Sequence, residues 1–402
     1  MKFQRREFLA GSVAAAGLAS LGWPKVAQAS EGVSSFDPTG VSMFRGSPAH
    51  NHYGTGPLPD RFEVAWRFRT ERYQTTLRER PYTWTGTGWS GQAVKVGEHV
   101  YIGSVDRNLY CLKAETGTEV WKYSARRMFK SSVCHADGRL YIGNVDNRLR
   151  CIDAATGELS WSFATRADMD SSPVVANGRL YVGGEDLSIY CFDPVSGEKL
   201  WRHVVDENRP EPLGGRGVES SPAVANGRVF ASAYAGYLYC LDAVTGERKW
   251  RFRTGDDTDS SPVLVNDRVY TGCENGRVYC VSQEDGREIW QVQTRSGIWS
   301  TPAVVGNRLY IGSNDRRVYC LDADTGAEIW NYKAAAPVWT SPDVVDGKVV
   351  FGAYDGKLRM LSAETGQLIW EHLTGARIVS STCIVDGRIY VGSRDGYFYC
   401  FA

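Results

Sequence analysis

A short phrase, Ser-Ser/Thr-Pro or a close variant, begins at Ser90, Ser131, Ser171, Ser220, Ser260, Ser300, Thr340 and Ser380. The residue just ahead of it is, in order, Trp89, Lys130, Asp170, Glu219, Asp259, Trp299, Trp339 and Val379. A slot with a purely structural duty repeats its residue, and this one does not. Three acids stand in consecutive copies, and tryptophans stand in copies six, seven and one around Val379. Carboxylates attract cations, and indole faces stack on flat groups or accept cation-π contacts. The trio Asp170, Glu219 and Asp259 is also a candidate Ca²⁺ site, since that ion takes oxygen ligands, though a full shell needs further carbonyls or water. Of thirteen tryptophans, Trp23 falls in the leader and eight end repeats; Trp84, Trp89, Trp299 and Trp339 remain. Trp84 lies five residues from Trp89 and joins the candidate set. A competing reading has the indoles plug an interior and the acids pair with Arg126, Arg127, Arg166 and Arg216.

The elements that must position this slot are repeats. Trp121, Trp161, Trp201, Trp250, Trp290, Trp330 and Trp370 are 40, 40, 49, 40, 40 and 40 residues apart, each closing a phrase such as DAATGELSW or SAETGQLIW. Within one unit SSPVVANG, RLYVGG, IYCFD and KLWRHV are short β-branched and aromatic runs between turn signals, four strands to a period. A four-stranded antiparallel sheet repeated at this period is a propeller blade. The eighth unit stops at Ala402 without a fourth strand, while Trp66-Arg67-Phe68-Arg69-Thr70 repeats Trp250 to Thr254 letter for letter. The fold expected is therefore all-β, an eight-bladed propeller over residues 62–402. Its ring is closed by the N-terminal strand around Trp66, which leaves no unpaired edge. The slot begins the innermost strand of each blade, so its side chains should ring the mouth of the central channel. The insertions Glu71 to Gly88 and Val204 to Val218 enter on the same face.

Other tempting residues read as structural. Cys111, Cys151, Cys191, Cys240, Cys280, Cys320 and Cys400 share one place in seven blades, with Met360 in the other. Small buried side chains suit such a place, and no disulfide is expected; an Asn275-Gly276 turn would set Cys273 opposite Val278, badly placed for Cys280. Asp106, Asp146, Asp315, Asp355 and Asp395 occupy hairpin turns that favour Asp. His50-x-His52 lies in a Gly/Pro-rich lead-in, residues 30–61, expected on the surface. No nucleophile elbow, phosphate loop or CxxC is present.

Arg5-Arg6, an apolar run from Leu9 to Leu21 and Ala27-Gln28-Ala29 make residues 1–29 a twin-arginine-type signal peptide, implying a periplasmic or extracellular protein. No cysteine precedes Cys111, so no lipid anchor is expected. Removing the signal takes four of 46 basic and one of 46 acidic side chains, for a net charge near −3. That excludes general attraction for nucleic acid or anionic membrane, and a monomer is expected.

The AxxTGxxxW phrase with its preceding YCLDA resembles the repeat of pyrroloquinoline-quinone (PQQ)-type propellers, among them quinoprotein dehydrogenases and the scaffold lipoprotein BamB. The likeness covers roughly residues 42–402. For a dehydrogenase it implies PQQ lying on an indole such as Trp299 or Trp339, with acids holding Ca²⁺ and an aspartate as base, oxidising alcohols or sugars. Against this stand the missing adjacent cysteine pair, the missing CxxCH and the lack of long inserts to cover a substrate. The reading carried forward is a binding or scaffold protein that takes a protein, peptide or glycan at an acidic and aromatic funnel, with no cofactor and no catalysis expected. The PQQ- and Ca²⁺-dependent dehydrogenase is the alternative.

Overall fold

A computed structural model describes residues 39–77, 80–86, 91–205, 217–234 and 236–402. The leader falls outside this range. Eight four-stranded antiparallel sheets follow one another, beginning with Val94–Val96, His99–Gly103, Asn108–Lys113 and Glu119–Ser124 in blade 1. The last blade pairs Cys383–Val385, Arg388–Gly392 and Tyr397–Phe401 with Val64–Arg69, in the register Trp66 to Cys400 and Phe68 to Phe398. The ring closes as the letter-for-letter repeat implies. Among the described residues no helix is long and apolar enough to cross a membrane.

Two repeated contacts explain the two repeated phrases. The indole of each closing tryptophan reaches the next blade: Trp121 Nε1 donates to Ala154 O at 3.2 Å, Trp330 to Ala363 O at 3.1 Å, and Trp66 to Ala114 O at 3.0 Å, across the seam between first and last blades. The glycine of the Thr-Gly turn makes room for it. At Gly366, whose φ is +72°, a Cβ would lie 2.7 Å from the Trp330 ring, so both the backbone conformation and the space demand glycine. In the other phrase the second serine or threonine is a rung between blades: Ser132 N donates to Ser172 Oγ at 2.9 Å, Ser172 N to Ser221 Oγ at 3.1 Å, and so around to Ser341 N and Ser381 Oγ at 3.1 Å. Buried polar groups must be paired, and a hydroxyl here satisfies the first amides of the neighbouring inner strand.

Those rungs correct the alignment of blade 1. Gln92 N donates to Ser132 Oγ at 2.8 Å, so Gln92 and Gly91 hold the places of the two serines. The phrase starts one residue later than Ser90, and the slot number shifts from 89 to 90. Trp89 and Ser90 both lie outside the described residues.

The lead-in is a second correction. It is no surface segment: Val41, Met43, Arg45 and His50 are wholly buried, and the chain from 41 to 55 closes the channel at the end away from the slot. It does so with backbone bonds to inner strands around the ring, among them Val41 with Lys95, His135 N to Ser42 O, Val224 N to Pro48 O, Leu264 N to Ala49 O and Thr55 N to Ile384 O. At its centre Arg45 Nη1 donates to Asp343 Oδ1 at 2.7 Å and Nη2 to Pro302 O at 3.1 Å, with the guanidinium 4.5 Å from the Tyr53 ring. Asp343 stands where other blades carry Val174 or Val263, and its other oxygen accepts from Thr382. His50 Nδ1 bonds Pro262 O at 2.8 Å, and burial lowers its pKa to about 3, which keeps it neutral. His50 and His52 make no metal site.

All ten cysteines are free and buried. Around Asn275-Gly276 the ladder pairs Gly272 with Val278, one residue off the expected Cys273. The loop has three residues, closed by Gly276 N on Cys273 O at 3.0 Å with Gly276 at φ +81°. This is a type I turn with a glycine bulge rather than a two-residue hairpin. The turn aspartates do structural work. Asp315 Oδ1 accepts from Arg317 N at 3.0 Å and Oδ2 from Tyr319 Oη at 2.5 Å, a clamp repeated at Asp106 and Asp395. At Asp146 and Asp355 an arginine, Arg150 or Arg359, takes the tyrosine's place.

Candidate functional site

Seven blades place their slot side chain in the described structure, and all seven line one cavity of about 310 Å³: Lys130, Asp170, Glu219, Asp259, Trp299, Trp339 and Val379. The inner strands run away from this mouth, and the first hydroxyl of the phrase holds the turn out of the slot against the second strand, as in Ser300 Oγ to Gly312 O at 3.2 Å. The acids cover one arc and the indoles the other. Trp299 and Trp339 are half-buried, with ring centroids 4.2 Å apart at 46°, and Trp339 continues onto Tyr354 at 4.1 Å and 52°. Trp84 is not in this cavity. The Glu71 to Gly88 insertion forms a hairpin, Tyr73–Leu77 with Arg80–Trp84, and the Trp84 ring lies 5.2 Å from the Arg394 guanidinium while its Nε1 donates to Thr75 Oγ1 at 2.8 Å.

Two further lining residues, Tyr234 and Glu274, lie outside the slot. They belong to a second ring, the residue before each turn Asp or its equivalent: Val105, Val145, Glu185, Tyr234, Glu274, Asn314, Tyr354 and Arg394. In blades 2–8 one backbone bond holds this ring beside the first, joining its N–H to the carbonyl two residues before the slot, as in Glu185 N to Asp168 O, Glu274 N to Asp257 O and Tyr354 N to Pro337 O, each at 3.0 Å. Its variability around the repeat was the signal available in the sequence. The turn's obvious structural role at the next residue concealed it.

The acids are crowded, and among the described residues Lys130 is the cation whose ion pair with them is seen. Lys130 Nζ bonds Asp170 Oδ2; although burial opposes its charge, Asp170, Glu219 and Glu185 hold the ammonium pKa above its usual value. Asp170 Oδ1 and Asp259 Oδ1 are buried without a hydrogen-bond partner among the described residues. Burial, then Asp259 and Asp170, push Glu219 up to about 9. Burial, then Asp170, push Glu185 up to about 7, and burial with Asp259 does the same for Glu274. Asp259 is raised chiefly by burial as well. Like charges in low dielectric cannot all ionise without a cation between them. Of the arginines considered as partners, Arg216 lies outside the described residues, and Lys130 is the cation bonded to the slot acids within them.

The carboxylates whose oxygens come within 4.8 Å of one another are Asp170, Glu185 and Glu219, so Glu185 replaces Asp259 in the expected trio. They offer the oxygens a hard cation needs. However, the Lys130 ammonium already sits on Asp170 and supplies positive charge there.

The sequence over residues 63–292 matches the family described as outer membrane protein assembly factor BamB, more than half of the chain. The chain belongs to this family of PQQ-like propellers. A second family, the β-propeller of the β-alanine-activating enzyme, matches residues 212–402. No curated protein matches the sequence significantly. Among solved structures, BamB from Moraxella catarrhalis is 18% identical with a TM-score of 0.69 over 85% of this chain and 99% of that one. The quinohemoprotein alcohol dehydrogenase of Comamonas testosteroni is 16% identical with a TM-score of 0.74, over 90% and 80%. A europium-containing methanol dehydrogenase is 15% identical with a TM-score of 0.73, over 91% and 98%. At such identities these structures share the fold, and the BamB-type propeller is common ground between binding proteins and enzymes.

Proposed function

We propose that this BamB-type propeller is an exported binding protein whose channel mouth takes a cationic, partly aromatic or apolar segment of a protein or peptide partner. The observation that carries the reading is the acidic arc: Glu219 raised to about 9 and Glu185 and Glu274 to about 7 in one indole-walled cavity. An ammonium or guanidinium group entering there would favour the ionised form of these carboxyls, and Trp299 and Trp339 would cover its stem. The blind far end of the channel, filled by Arg45 and its neighbours, supports a ligand that enters and leaves by one mouth.

The quinoprotein reading meets a cavity of the wrong sign. PQQ is a tricarboxylate, and among the described residues the cavity beneath the indoles presents Asp170, Glu219, Asp259 and Glu274 against the ammonium of Lys130. The residues present do not fit that cofactor, and no step is routed through it.

The test is titration of the protein with a lysine-containing tetrapeptide blocked at both ends, against the same peptide with norleucine in place of lysine. The lysine peptide should bind more tightly by about tenfold or more, an advantage that shrinks with added salt. Asp259→Asn with Glu219→Gln should abolish the advantage without lowering the melting temperature. Equal binding of the two peptides would refute the proposal.

A further inference from the structure

Blade 8 carries the opposite charge to blades 3 and 5 at two of three equivalent positions and a neutral residue at the third. In blade 3 the slot, the second ring and the residue two before the slot are Asp170, Glu185 and Asp168; in blade 5 they are Asp259, Glu274 and Asp257. In blade 8 they are Val379, Arg394 and Arg377, with Arg394 N bonded to Arg377 O at 3.0 Å. These two arginines line a second, open pocket of about 480 Å³ on the mouth face, walled by Tyr82 and Thr83 of the inserted hairpin and by Tyr354 of blade 7. Each guanidinium is held over an aromatic face, Arg377 at 4.8 Å from Tyr354 and Arg394 at 5.2 Å from Trp84. Stacking of this kind fixes the plane of a guanidinium and leaves its N–H edge to recognise a planar oxyanion.

We propose that Arg377 and Arg394, braced by the hairpin and Tyr354, form a binding pocket for a singly charged carboxylate. Both oxygens of the nearby acid are engaged: Asp395 accepts from Gly375 N at 2.9 Å, Tyr397 N at 2.9 Å and Tyr399 Oη at 2.6 Å. Among the described residues no carboxylate forms an ion pair with Arg377. Burial works against the Arg394 cation, Tyr82 and Tyr354 favour it, and the charge of Arg377 opposes it. The choice of a monoanion follows from the far side of the mouth. The acids of blades 3–5 repel a second negative charge, which disfavours a phosphate dianion relative to a carboxylate. Tyr354 stands in both settings, under Arg377 and against Trp339, so an aromatic or apolar body attached to the carboxylate lies toward the indoles.

The test uses benzoate, its neutral isostere benzamide and inorganic phosphate, each titrated calorimetrically into the wild-type protein. Benzoate should bind with a dissociation constant near ~1 mM, and benzamide and phosphate more weakly by about tenfold or more. Arg377→Gln should weaken benzoate by about tenfold with an unchanged melting temperature, and Arg377→Lys should recover part of the loss by restoring charge without the fork. Glu219→Gln should leave benzoate binding at least as strong as in wild type, which separates this pocket from the acidic arc. Equal binding of benzoate and benzamide would overturn the pocket without recourse to any variant. Tighter binding of phosphate than of benzoate would overturn the monoanion assignment.

Discussion

Arg45 and Asp343 form a wholly buried ion pair at 2.7 Å, with side-chain exposures of 0% and 0%, between the lead-in and the inner strand of blade 7. Arg45→Ala would leave the Asp343 carboxyl in the same place with only Thr382 as a hydrogen-bond partner, at a cost of about 3–5 kcal/mol for an uncompensated buried charge. Burial already raises the Asp343 pKa to about 7 against the pull of Arg45, and removing the arginine raises it further. A carboxyl whose folded pKa is raised contributes stability below its unfolded range near ~4 and loses it as pH climbs through the folded value. The deficit of Arg45→Ala should therefore be larger at pH 8 than at pH 5, by about 1 kcal/mol. The double variant Arg45→Met with Asp343→Val puts an apolar stem against the valine found at the equivalent place in blades 3 and 5, and should return to within about 2 kcal/mol of wild type. Denaturant midpoints of the three proteins at both pH values are the assay. A single variant that unfolds with the wild-type midpoint at pH 8 would show that the lead-in does not plug the channel, and a double variant no better than Arg45→Ala would show that packing, not charge, is what the pair provides.

Trp299→Ala removes a half-buried indole packed at a tilt against Trp339 and should lower stability by no more than about 1.5 kcal/mol, while weakening ligand binding mainly through a faster off-rate; a collapse in the thermal melt would mean that the indoles plug the mouth. Glu219→Gln should raise stability relative to wild type, with a gain that increases between pH 5 and 9, because the folded carboxyl at about 9 resists the ionisation that the unfolded chain accepts; a gain that falls with pH in the melts would contradict the crowding of the acidic arc. Deleting residues 39–70 removes both the plug and the strand that pairs with Tyr397–Phe401, and should give insoluble protein through the exposed edge; unchanged melting behaviour would contradict the closure. Native protein should resist thiol reagents and show ten reactive thiols only after denaturation, since burial raises the thiol pKa at Cys111 and Cys280 to about 12; fewer than ten on denaturation without reductant would reveal a disulfide.

The ring was legible because its contacts are periodic. An indole bonded to the next blade and a hydroxyl bonded to the next inner strand recur from blade to blade, so Trp121 to Trp330 and Ser132 to Ser381 recur in the sequence. The mouth was legible from the opposite property, a slot that changes while its neighbours hold constant. Two things escaped for physical reasons. Blade 1 carries Gly91 and Gln92 in place of the two serines, and without its hydroxyls the phrase slips by one residue onto Ser90. The lead-in has no repeat and a Gly/Pro-rich composition, yet Arg45 and His50 are buried by non-local contacts with Asp343 and Pro262, which no local pattern records. The second ring, with Glu185, Tyr234 and Glu274, lay in plain view one residue before the turn aspartates.

If an entering cation is what the acidic arc lacks, its binding must drive protons out of Glu219, Glu185 and Glu274. Calorimetric titration of the blocked lysine tetrapeptide at pH 7.5, in two buffers of different ionisation enthalpy, measures that release directly. A net release of protons on binding, lost in Glu219→Gln with Asp259→Asn, is the predicted result; binding with no proton release, or the same release from the double variant, would contradict it.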